Sequence, residues 1–200
     1  ARSWPEVVPG GLSVGVPGTL ALMKHAHSKY GRLPWKNLFD HAIRHAAEGF
    51  KVSPRLAGSL LSYGGQRLKK FDQARSYFFP NGEPLEAGQI LKNPQFADTL
   101  RQISGPENES IYEGQIAKDL VNVVRSAAIN PGLLSLTDLS KYRVVEREPV
   151  CVPYREHRVC GMGLPSSGGI TVGQILGILQ PFNLRLLGPE NPLTWHLFSE

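Results

Sequence analysis

Gly161-Met-Gly-Leu-Pro-Ser-Ser-Gly-Gly-Ile170 is the stretch around which this chain is organised. A β-like run, Cys151 to Cys160, leads into it, and an apolar helical run, Thr171 to Phe182, leads out. Pro165 has no N–H for a sheet ladder and fixes its own φ, so the strand is expected to stop there. Ser166 or Ser167 is expected to cap the next helix by accepting from its free N–H groups. Gly168 and Gly169 allow a sharp turn and a close backbone approach. A strand, a small-residue turn and a helix N-terminus can form an anion or carboxylate site. They can equally be a well-capped junction, and the local geometry alone favours the junction.

Immediately upstream, the two cysteines are placed suggestively. If Arg155-Glu156 forms a two-residue hairpin turn, Tyr154 faces His157, Val152 faces Val159 and Cys151 faces Cys160. Directly opposed Cβ atoms lie about 5 Å apart, near disulfide range. Two readings stay open: a cross-strand bridge, or two buried free thiols in a reducing compartment.

Further upstream the chain reads as helices. Gly10 to Gly18 alternates apolar and small residues and is expected to form a short strand ending in a Pro17-Gly18 turn. Thr19 to Tyr30 is a helix stopped by Gly31, and Pro34 sits in the first turn of a second, roughly 34–50. In that second helix Phe39, Ala42, Ile43, Ala46 and Phe50 share one face, while His41, Arg44, His45 and Glu48 share the other. His41 and His45 lie one turn apart with Glu48 near, but residue 42 is alanine rather than the glutamate of a zinc-protease helix. A solvated polar face is therefore favoured over a metal site. His25 and His27, two residues apart, diverge on their helix.

Ser53-Pro54 opens a third helix to about Phe71, weakened at Gly64-Gly65. Gln89 to Leu91 reads as a short strand. Asn93-Pro94 opens a fourth helix to about Ile103. A fifth runs from about Glu109 to Ala128, with Ile111, Ile116, Leu120, Val123 and Val124 as an apolar stripe. Ser135 or Thr137 caps a single turn, Tyr142 to Val152 and Arg158 to Gly163 are strands, and helices follow over about 170–182 and 193–200.

Composition is that of an ordinary globular chain, with 41% hydrophobic and 20% charged residues. No run of 18 apolar residues is present, so no membrane-spanning helix is expected. The formal charge of +5 comes from 22 scattered basic residues, densest at Arg67, Lys69 and Lys70. They do not interleave with aromatics as a nucleic-acid platform requires. The ends carry no initiator methionine or signal peptide and read as cut from something longer, from which a targeting segment could have been removed.

Three stretches then combine: Gly10-Gly-Leu-Ser-Val-Gly-Val-Pro-Gly-Thr19; Lys29-Tyr-Gly-Arg-Leu-Pro-Trp35 running on to Glu48-Gly-Phe50; and Met162 to Ile170 with Gln174-Ile-Leu176. Between them, Ile111-Tyr-Glu-Gly-Gln-Ile-Ala117 and Leu136-Thr-Asp-Leu139 with Tyr142 occur in the same order. Together they resemble the γ-glutamyltranspeptidases (glutathione hydrolases) over nearly the whole chain.

That resemblance implies an N-terminal-nucleophile hydrolase of four-layer αββα fold, made as a precursor that cuts itself into large and small subunits. The small subunit's first residue, a threonine, is both nucleophile and, through its α-amine, part of the base, because a hydroxyl is a weak nucleophile until a base takes its proton. An arginine of the large subunit grips the glutamyl α-carboxylate. The motifs carrying that machinery do not match this sequence. Arg2 is followed by Ser3-Trp4-Pro5 rather than the family's Glu-Thr-Ala-Pro, and no Thr-Thr-His or Thr-Ser-His occurs. Ser166-Ser167 is not the serine pair that touches the glutamyl group, and Leu164 stands where many members have proline.

The resemblance therefore implies a central piece of the large subunit. The expected fold is helix-rich α/β (α+β), a partial αββα sandwich lacking most of its sheets. It is read as a single piece, 1–200, with a helical region 19–128, a strand hairpin 142–163 and helices 170–200. No catalytic, cofactor-binding or metal residue is assigned, and no cofactor. The implied partners are γ-glutamyl small molecules such as glutathione and the small subunit of the same precursor, with no nucleic acid. The implied location is periplasmic or secreted, and the isolated piece is expected to self-associate and be inactive. A related acylase, a capsule-processing transpeptidase and a non-catalytic helical module are the competing readings.

Overall fold

The computed structural model describes residues 4–105 and 111–200. The chain divides into two compact units, one ending at Val144 and one spanning Val145–Glu200. The first is helical: α1 (Trp4–Val7), α2 (Thr19–Tyr30), α3 (Asp40–Glu48), α4 (Pro54–Leu61), α5 (Tyr63–Gln66), α6 (Asp72–Phe78), α7 (Pro94–Ser104), α8 (Gly114–Arg125) and α9 (Leu136–Lys141). A two-residue ladder joins β1 (Phe50–Lys51) to β2 (Ile90–Leu91). The second unit is an antiparallel hairpin, β3 (Val150–Tyr154) and β4 (His157–Gly161), followed by α10 (Gly168–Leu179), α11 (Leu184–Leu187) and α12 (Pro192–Ser199). The helix-rich α+β class expected from sequence is what forms.

Local chemistry starts most helices. Ser53 accepts from the Leu56 N–H with Pro54 in the first turn, and Asn93 does the same for Phe96 ahead of Pro94; both prolines occupy positions whose N–H would have no helical partner. Ser135 and Asp138 form a reciprocal capping box, and the Ser135 hydroxyl and N–H hold the Asp138 carboxyl below its ordinary pKa. The helix expected over 53–71 breaks at Ser62, whose extended backbone and hydroxyl start a new turn by accepting from Gly65 N–H. The second helix begins as a 3-10 turn, Trp35–Phe39, before α3. Of the face expected to be apolar over 34–50, Phe39 and Ala46 are buried, whereas Ala42 and Phe50 are exposed.

Two expectations give way to long-range contacts. Gly10 to Gly18 is not a strand: Gly10 adopts φ 105° and Gly11–Ser13 form a 3-10 turn. The reason lies far along the chain, where Leu12 N–H donates to Asn130 O at 2.9 Å and Gly11 N–H to Ile129 O at 3.4 Å. No Cβ fits at Gly10 or Gly11 against Ile129 and Val124 carbonyls. The strand expected from Tyr142 begins only at Val150, and among the described residues 143–149 join no ladder. The start of the fifth helix at Glu109 lies outside the described residues.

Two cores hold the first unit. Val52, Leu60, Phe79, Leu85 and Leu91 form one. Ala117, Val121, Val124, Leu134 and Leu139 form the other, with Val16 and Tyr112 packed on it. Tyr112 supplies what α2 lacks: Gly18 precedes that helix without a capping side chain, and the Tyr112 hydroxyl accepts from Ala21 N–H at 3.2 Å while donating to Pro17 O at 2.5 Å. Its ring stacks on Tyr142, and a Cβ at Gly18 would collide with the Tyr142 hydroxyl. The cap thus comes from 91 residues away.

Burial, the largest effect, raises the Tyr112 pKa above its ordinary value. A group raised in the folded state stabilises fully below its unfolded pKa, about 10, and that contribution fades as pH rises through the folded value. Tyr112→Phe is expected to cost about 1–2 kcal/mol at neutral pH. It should also flatten the loss of stability above pH ~10. Urea melts of both proteins across neutral and alkaline pH test this; superimposable curves would show that the hydroxyl is not the cap.

Candidate functional site

The hairpin and the glycine turn are the stretch around which the sequence is organised, weighed there as an anion site or a capped junction. Its register is Cys151 against Cys160, Val152 against Val159 and Tyr154 against His157, as the two-residue turn required. Cys151 and Cys160 are bridged. At the turn, Arg155 adopts φ 54°, a region that favours glycine or asparagine. It is held there by its own contacts: its N–H donates to Gln180 Oε1 at 3.3 Å, its guanidinium donates to Phe182 O at 2.7 Å and lies over the Tyr154 ring.

After β4 the chain passes through a cis Leu164–Pro165 bond. Ser166 N–H donates to Gly163 O at 3.1 Å, and α10 begins. Neither serine caps it. Ser167 takes helical angles, φ −82° and ψ −17°, and contributes only its carbonyl, which accepts from Thr171 N–H. A capping side chain needs extended backbone at that position, so the expected serine cap is corrected to a plain backbone start. The expected close approach is made by Gly169, not Gly168. A Cβ on Gly169 would lie 2.7 Å from Met162 O, and one on Gly161 would lie 2.6 Å from Gly169 Cα. One turn on, Gly173 faces Val152. The helix therefore seats glycine against the hairpin backbone, with no space for a ligand at that contact.

Chemically the region is quiet. Ser166 is half-buried and Ser167 exposed; among the described residues neither hydroxyl bonds a histidine, lysine or carboxylate that could activate it. On α3, His41, His45 and Glu48 are exposed, and His41 Nδ1 lies 3.1 Å from an Arg44 guanidinium nitrogen. Among the described residues no group of three or more His, Cys, Asp or Glu is placed to hold a metal, and no helix is long and apolar enough to cross a membrane. His27 Nε2 lies 2.8 Å from Leu33 O and its ring meets Trp35 edge-on, closing the loop after α2. Sequence reasoning missed one division of labour: the apolar stripe of α8 splits, with Val124 in the core and Val123 62% exposed. Asp119, set between Ile116 and Val123, was the available signal.

Residues 2–200 match the family model for gamma-glutamyltranspeptidase. The glutathione hydrolase proenzyme of Escherichia coli (strain K12) is 36% identical over 177 residues, covering 88% of this chain and 30% of that protein. The crystal structure of Helicobacter pylori gamma-glutamyltranspeptidase superposes with a TM-score of 0.89 at 30% identity, over 98% of this chain and 56% of that one. The Bacillus anthracis transpeptidase CapD gives a TM-score of 0.75 at 30% identity, over 93% of this chain and 62% of that one. The chain spans less than a third of the length of the Escherichia coli relative. With the family model matched almost from end to end and the ordered sequence motifs set on this fold, the chain belongs to the γ-glutamyltranspeptidase family.

Proposed function

We propose that this chain is part of an enzyme that cleaves the γ-glutamyl bond of glutathione and related compounds and passes the glutamyl group to water, an amino acid or a peptide. The observation that carries this reading is the family match over residues 2–200. In the proposed reaction a threonine hydroxyl outside residues 1–200 attacks the γ-amide carbonyl while a base takes its proton. The amine leaves with a proton, a γ-glutamyl ester remains, and water or a second amine resolves it. The chain's own part is scaffolding: it supplies helical layers and the hairpin of an αββα sandwich whose remaining strands and small subunit come from the rest of the precursor. A periplasmic or secreted location is supported by the bridged Cys151 and Cys160, since disulfides persist in oxidising compartments. CapD, as similar in sequence as the Helicobacter pylori enzyme, supports a second reading as a capsule-processing transpeptidase.

The full-length protein is expected to release nitroaniline from γ-glutamyl-p-nitroanilide, and residues 1–200 alone are not. In the same preparation the 200-residue piece should run as a dimer or larger species by light scattering, because Leu22, Met23, Ile178 and Leu186 are exposed and apolar patches associate. No release by the full-length protein sinks the glutathione reading. Release by the piece alone places the nucleophile within it.

A further inference from the structure

In the first unit α7 and α8 leave between them a groove of about 690 Å³, within the range of built binding sites. Its apolar lining is Ile116, Leu120, Val123 and the core-facing Val124 of α8, joined by Val14, while α7 contributes only polar side chains. The core side of the same helix is Ala117, Val121 and Val124. Each helix also places one carboxylate in the lining, Asp98 from α7 and Asp119 from α8. Among the described residues no lysine or arginine lines the groove, although the chain carries a net charge of +5. Asp98 is paired with Arg101 at 2.6 Å, with both side chains more than half exposed; such pairs contribute little and exchange readily. Asp119 accepts from the neutral Gln115 amide at 2.8 Å, which leaves its charge in place.

We propose that this groove docks a basic amphipathic helix of a partner protein. Apolar side chains at i, i+3 or i+4, and i+7 of the partner enter between the two helices. Lysine or arginine beside that stripe meets Asp98 and Asp119. An acidic helix is repelled by the same two carboxylates, and a neutral one brings no cation to them, so charge selects the occupant.

The test uses the full-length protein and a labelled helical peptide of about five turns, with leucine on one stripe and lysine beside it, followed by fluorescence anisotropy. The control peptide has glutamate for every lysine. The lysine peptide is expected to bind saturably and the glutamate peptide at least about tenfold more weakly. Asp98→Asn with Asp119→Asn should weaken the lysine peptide by about tenfold or more. Val123→Arg, at an exposed position, should do the same with both aspartates intact. Equal binding of the two peptides, unchanged binding by either variant, or no saturable binding overturns the proposal.

Discussion

Gly169→Ala should destabilise the 145–200 unit by about 2–3 kcal/mol, whereas Gly177→Ala, the same change two turns later in α10, should stabilise it by up to about 1 kcal/mol. Helix propensity favours alanine at both positions. The surroundings differ. At Gly177 an added Cβ meets nothing within 4 Å; at Gly169 it meets Met162 O at 2.7 Å and Gly161 C at 2.9 Å. Those are backbone atoms, which cannot swing aside as a side-chain tip can. The helix must lift from the hairpin, and Gly173 loses its seat on Val152 as it does so. Gly161→Ala strikes the same contact from the other side. The pair should therefore be sub-additive, because once the elements separate the second methyl group costs less. Denaturant melts of the three single variants and the Gly161/Gly169 double variant measure this. A neutral Gly169→Ala, or full additivity, would remove close glycine packing as what seats α10.

How far the sequence could be read depended on how far each residue's partner lay. Ser53-Pro54, Asn93-Pro94 and Ser135 with Asp138 were legible because a cap and the N–H it accepts from are three residues apart. The hairpin register was legible because a two-residue turn leaves one pairing, and Cys151 and Cys160 were opposed on that basis. Gly10 to Gly18 was misread because its backbone partners are at 129 and 130, invisible to alternation within nine residues. The start of α2 carried a hint in Gly18, a helix entry with no capping group, but nothing local named Tyr112 as the residue whose hydroxyl accepts there. Ser166 and Ser167 had the right chemistry to cap α10 and the wrong backbone, since Ser167 had already turned helical. The candidate site follows the same logic: ordered glycine and proline motifs disclosed the family through packing constraints, whereas around the glycine turn, among the described residues, no acid or base meets a serine hydroxyl, because these motifs serve the seating of helices.

Reduction of Cys151–Cys160, or its removal by Cys151→Ala with Cys160→Ala, is expected to cost the 145–200 unit about 2–3 kcal/mol. The bridge closes a loop with a sequence separation of 9, and the chain-entropy cost of closing one that short is of that size. The unit has little else to replace it. Among the described residues its fully buried large side chain is Leu179, and Thr194 is also buried, while both apolar core clusters belong to the other unit. The hairpin ladder is two strands, which are marginal in water without a face to pack on; α10 supplies that face only while Gly161 and Gly169 stay in register. Hydrogen exchange localises the effect. Amide protection over 150–161 should fall by about 30- to 150-fold on reduction, while amides around Val52, Leu60 and Leu91 keep theirs. Equal loss in both regions would mean that the bridge stabilises the whole chain. No loss would mean that it is dispensable. Thiol titration of the unfolded, unreduced protein completes the test: no free thiol is expected if the protein matures in an oxidising compartment, and two free thiols would place it in a reducing one.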